Sequence, residues 1–266
     1  MNRLFRTSTD ILSLSYIGLS LVGLVILTVS IFTFKASTTN FNLQKQFFGS
    51  IFATICLLGI IIGVFPSRCS RILQFRKKFD KKEQTDQKTT TIGFIGHHPT
   101  CGNFSRHILQ LKGKTYCAGC TGLVLGAMIS LLGILTYSFL DCDVEGNVML
   151  VFWVGFIAVV CGLLQHRIPD GNRGLVHFFL NVTFVLGAFL LLVGVNEITN
   201  NFLLDVYLLA LIAYWILTRI MISQLEHRKI CTTCLQFCSY SKKKLAFTSE
   251  SIKNTRNNKN TDQYHH

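Results

Sequence analysis

"CAGCTGLVLGAMISLLGILTYSFL", residues 117–140, opens on two cysteines two residues apart and then runs on without an Asp, Glu, Lys or Arg. A helix rises about 1.5 Å per residue and satisfies its own backbone, so such a stretch can cross a hydrocarbon core of about 30 Å. The same uncharged pattern recurs on either side of it. Runs at 11–34, 47–65, 119–140, 148–165, 174–195 and 202–223 predict six transmembrane helices and an all-α, polytopic integral membrane protein. Composition agrees: 50% of the 266 residues are apolar, only 15% are charged, and Phe alone occurs 22 times. Two charges sit near the ends of the sixth run, Asp205 and Arg219, and both are expected to snorkel to an interface.

Arg3 and Arg6 precede the first run in the manner of a secretory signal. The run is much longer than a signal-peptide core, and "FTFKAST" after it offers no small-x-small cleavage site, so it reads as a retained anchor. Lys and Arg then set the orientation. The segments on one side of the six spans hold 2, 11, 2 and 9 of them, and those on the other side 2, 0 and 0. The positive-inside rule therefore predicts both termini in the cytoplasm of a cell whose plasma membrane the chain spans. This asymmetry accounts for the net charge of +13 without nucleic acid as a partner. The cluster "RCSRILQFRKKFDKK", residues 68–82, can also attract anionic lipid headgroups, although its plainer role is to fix topology.

The chain accordingly divides into two N-terminal helices (1–65), a basic cytoplasmic linker (66–95), a Cys/His loop with a four-helix membrane domain (96–223) and a basic, cysteine-containing cytoplasmic tail (224–266). The polar end of that tail, "SIKNTRNNKNTDQYHH", has little to bury and reads as disordered.

Topology sorts the cysteines. Cys142 alone falls on the outer side, and Cys56 and Cys161 lie within spans as small packing residues. The other seven face a reducing compartment, where paired cysteines point to metal or redox chemistry more than to cross-links. In "GHHPTCGNFSRHILQLKGKTYCAGC", residues 96–120, His98-x2-Cys101 and Cys117-x2-Cys120 stand fifteen residues apart, the two-knuckle spacing of a zinc ribbon. Between the knuckles "HILQLKGKTY" alternates apolar and polar residues around Lys-Gly-Lys, predicting a short hairpin. Zinc takes four N or S ligands, so this zinc-ribbon-like loop before the third helix is a candidate metal site. Two other readings compete: a dithiol redox couple at the N-terminus of the third helix, whose dipole favours thiolate, or merely two small residues at a helix entrance.

More coordinating or hydrogen-bonding groups cluster at the same predicted membrane face: His107; His166 and Asp170 after the fourth span; Arg173 and His177 entering the fifth; His227, Cys231, Cys234 and Cys238 after the sixth. "CTTCLQFC", residues 231–238, is a second half-site that suits zinc or, less well, an iron–sulfur cluster. Gly122 and Gly126, four residues apart, form a seam where another helix can approach closely.

"GHHPTCGNFSRHILQLKGKTYCAGCTGLVLGA" with the later "RIPDGNRG" resembles the uncharacterised membrane family called domain of unknown function 2085, over roughly residues 96–195. The resemblance rests on His97, Cys117, Cys120, Thr121, Gly122, Gly126, Pro169, Asp170 and Gly171. Gly96 stands where the family has a cysteine, so the resemblance implies His97 as a first-knuckle ligand, whereas ribbon spacing implies His98. The resemblance implies a site and no activity. The functions left open are a metal site that staples or regulates the bundle, a metalloenzyme or redox protein at the cytoplasmic interface, and a small-solute transporter.

Overall fold

Long apolar blocks interrupted by polar segments fold as a bundle of membrane helices. The computed structural model describes residues 2–33, 41–64, 94–95, 98–99, 108–111, 114–140, 146–165 and 173–233. Six helices run through them: α1 (Asn2–Thr33), α2 (Phe41–Val64), α3 (Ala118–Phe139), α4 (Val148–Leu164), α5 (Arg173–Thr199) and α6 (Phe202–Thr233). Two small antiparallel pairs precede α3: β1 (Phe94–Ile95) with β2 (His98–Pro99), and β3 (Ile108–Leu111) with β4 (Lys114–Cys117). Among the described residues the bundle is helical and strand occurs only in the segment before α3.

Five of the helices, all except α4, are long and apolar enough to cross a membrane. The protein is thus a multi-pass membrane protein. α4 has 17 residues, about 26 Å of helix at about 1.5 Å per residue, slightly short of a core of about 30 Å. The helices also overrun the apolar runs seen in sequence. α2 starts at Phe41 and so takes in Gln44 and Lys45, and α6 continues to Thr233.

α5 is the central helix, packed along both α3 and α4; α2 lies on α3, α1 lies along α6, and α6 closes against α5. Leu191, Leu192, Val195, Phe152, Val159 and Trp215 are among the residues buried at the centre. Lipid gives no hydrophobic reason for helices to associate, so close packing must supply it. Gly122 and Gly126 of α3 both abut α5: a Cβ at Gly122 would run into the Phe178 carbonyl oxygen. α4 and α5 meet glycine on glycine, a Cβ on Gly155 falling 2.8 Å from Leu191 N and 2.9 Å from the Gly187 carbonyl oxygen. Only two residues join α5 to α6. Asn200 takes a positive φ of 42° there, which asparagine tolerates better than most side chains, and Asn201 Oδ1 caps α6 by accepting from Leu203 N at 3.0 Å.

Antiparallel neighbours give the bundle two polar ends. The hairpin end gathers the end of α2, the start of α3 and α5 and the end of α4. The far end gathers the start of α2 and α6 and the end of α3 and α5.

Candidate functional site

At the hairpin end β3 and β4 pair in register, Ile108 opposite Cys117 and Leu111 opposite Lys114. β4 runs without a break into α3, making Cys117 its N-cap residue. Cys117 is 4% exposed and Cys120 half-buried; three positions apart at a helix start, they share one side of it. Thr121 Oγ1 donates to the Cys117 carbonyl at 2.8 Å, tightening that first turn. β1 lies against β4, and β3 against α5. The strand pair carrying His98 is therefore folded back toward the strand that ends on Cys117.

Behind the cysteines lies a polar crossing between helices. A Cβ on Gly119 would sit 3.7 Å from Asn181 Nδ2, which donates to the His177 carbonyl at 2.7 Å. Asn181 Oδ1 accepts from Arg219 Nη2, and Arg219 Nη1 donates to the Gly162 carbonyl at 3.1 Å. The guanidinium also stands 5.5 Å from the centre of the Phe184 ring, a cation–π distance. One arginine of α6 thereby ties α4 and α5 together beside the CxxC turn of α3. Snorkelling does not describe Arg219: its partners lie inside the bundle. Thr183, a second mid-span polar group, bonds back to Phe179 and Leu180 of its own helix.

A larger polar set occupies the far end. Asp205, in the first turn of α6, is fully buried rather than snorkelling. Its Oδ2 accepts from Gln44 Nε2 at 2.8 Å and from Asn196 Nδ2 at 2.7 Å, linking α2, α5 and α6. Asn196 Oδ1 in turn lies 3.0 Å from the Tyr137 hydroxyl, which is also 2.9 Å from Glu197 Oε1. Lys45 is 2% exposed, its Nζ 4.2 Å from the centre of the Tyr137 ring. Sequence placed this lysine in an outer segment; α2 begins early enough to bury it. The clue to this set is that six polar residues, Gln44, Lys45, Tyr137, Asn196, Glu197 and Asp205, all fall near span ends on one predicted side. Nothing in a single run shows that they meet.

Of the predicted site residues, Cys117, Cys120, His177, Gly122 and Gly126 are described with their side chains, and the structure gathers them where α3 meets α5. His97, Cys101, His107, His166, Asp170, Cys234 and Cys238 lie outside the described residues, and His98, Arg173, His227 and Cys231 are described by backbone alone. Cys231 and His227 fall on the extension of α6. Among the described residues no group of three or more His, Cys, Asp or Glu is placed to hold a metal ion, and no disulfide forms. Cys56 is buried as a packing residue, whereas Cys161 is exposed on the surface of α4.

No family model matches the chain, and no solved structure matches it. The chain is similar to amino acid permease 6 of Arabidopsis thaliana, 31% identical over 86 residues, which is 32% of this chain and 18% of the permease.

Proposed function

We propose that this six-span membrane protein carries a cytoplasmic-face Cys/His zinc site, in which Cys117 and Cys120 join one or two ligands from the first knuckle, His97 or His98 and Cys101, to staple the hairpin onto the bundle. One observation carries the reading: β4 ends on Cys117 and β1, the partner of the His98 strand, lies against β4. The donor set suits zinc, two thiols at a rigid helix start with imidazole nearby in the chain. Behind the thiols, Asn181 and Arg219 would couple an occupied site to the seating of α3, α4, α5 and α6. Cys231, near the end of α6, and Cys234, the first residue after it in sequence, would supply a second half-site, with His166, Asp170, His177 and Cys238 in the surrounding polar shell. The basic linker supports the cytoplasmic placement of this end and offers it anionic headgroups. α4, pressed glycine to glycine against α5, completes six spans. The likeness to the domain of unknown function 2085 family belongs to the same proposal, since its shared Cys117, Cys120, Gly122 and Gly126 share the start of α3.

Elemental analysis of the protein purified in detergent tests this reading. About one zinc per chain is expected, lost in Cys117→Ser with Cys120→Ser. Metal-free wild type, or a double variant with undiminished zinc, overturns it.

A second reading, solute transport, is favoured by the charged side chains buried between the spans, which in membrane proteins commonly mark substrate or ion paths, and by the partial likeness to an amino acid permease. Proteoliposomes holding the wild type should accumulate a labelled neutral amino acid above empty vesicles. Uptake equal to that of empty vesicles removes this reading and leaves the zinc reading untouched.

A further inference from the structure

Asp205 is wholly buried, and while Oδ2 receives two amide donors, Oδ1 has no hydrogen-bond partner at all. A carboxylate oxygen buried without a partner is costly. A few ångströms along the same network the Tyr137 hydroxyl faces two acceptors, Asn196 Oδ1 and Glu197 Oε1. A phenol has one proton, so only one of them can be served at a time. Formal charge tilts the same way: among the described residues Asp205 and Glu197 bring two negative charges and Lys45 one positive.

We propose that this cluster binds one alkali metal cation, with Asp205 Oδ1 as its anchoring ligand and the Glu197 carboxylate as the second source of charge. The negative sign of that balance favours a cation over an anion. A proton on Oδ1 would relieve the same unpaired charge, and the two occupants differ in what they answer to, a metal cation to sodium and a proton to pH. Sodium is the natural occupant: a hard cation that takes oxygen ligands. Glu197 is half-buried and adjoins the polar Asn200–Asn201 link between α5 and α6, which gives the ion a polar way in from the bundle end. This site is at the opposite end from the cysteines, so its test is separate from the zinc assay and from any transport assay.

The experiment uses the full-length protein in detergent. Binding of radioactive sodium should saturate at about one ion per chain, and the thermal midpoint should rise with sodium chloride but not with N-methylglucamine chloride at equal ionic strength, as linkage requires. Asp205→Asn keeps the shape and the acceptor yet removes the charge; it should abolish saturable binding. Glu197→Gln should weaken it by about tenfold. Both variants are checked for an unchanged elution profile, and if Asp205→Asn does not fold, the wild-type isotherm with Glu197→Gln decides alone. No saturable sodium in the wild type overturns the proposal. So does a midpoint that follows pH alone, or sodium binding that survives in both variants.

Discussion

Replacing Gly155 by leucine should cost about 3 kcal/mol or more in unfolding measured in mixed detergent micelles, the upper end of what overpacking does. The size follows from what the new side chain meets. A Cβ alone would lie 2.8 Å from Leu191 N and 2.9 Å from the Gly187 carbonyl, and both are backbone of α5. A side chain in the way can turn aside; a helix backbone has to be pushed off whole. Since no hydrophobic force pulls α4 back onto α5 in lipid, the lost contacts are not regained elsewhere. Gly59, where a Cβ meets nothing within 4 Å, is the control, and Gly59→Leu should stay within about 0.5 kcal/mol of wild type. Equal stabilities for the two variants would show that the α4–α5 seam is not what holds α4.

Arg219→Ala is expected to cost about 2–3 kcal/mol in the same assay, near the value of charge-assisted hydrogen bonds and above the average polar contact between membrane helices. It removes the donors to Asn181 Oδ1 and to the Gly162 carbonyl and the contact with the Phe184 ring. Arg219→Lys should recover less than half of the loss, because an ammonium cannot present the guanidinium fork to two acceptors on different helices. A double-mutant cycle with Asn181→Ala should return a coupling of about 1 kcal/mol. Additive losses would mean that the Arg219–Asn181 contact contributes nothing, leaving Gly162 and Phe184 as the partners that matter.

Sequence makes the helices easy to see, because lipid demands apolar length and the chain supplies it in blocks separated by charge. It makes the hairpin visible as well: alternation around Lys-Gly-Lys is a local signal, and the strands it predicts pair as β3 and β4. What it hides is direction. Asp205 and Arg219 each lie near a span end, where a long or polar side chain could reach water, yet Asp205 meets Gln44 from 161 positions earlier and Arg219 meets Gly162 from 57 earlier. Only the tertiary fold says that these partners wait inside. Lys45 escaped for a different reason: hydropathy marks where apolar residues begin, not where helical hydrogen bonding begins. Cys161 shows the converse limit, since a lipid-facing and a buried surface are equally apolar and composition cannot tell them apart. Of the candidate site, the CxxC turn and its glycines are legible from spacing, and Asn181 as a polar residue in mid-span; that its partner across the helices is Arg219 only the fold reveals.

Biogenesis inherits a constraint from the far-end network. Its members come from α2, α3, α5 and α6, so a nascent chain inserts Lys45 and Gln44 long before Asp205 has been translated. Until α6 arrives, the early helices hold polar groups in lipid without their final partners, a state that membrane insertases and proteases can distinguish from the finished product. A chain truncated ahead of Asp205 would therefore leave the Gln44 and Asn196 amides without the carboxylate that α6 brings to them.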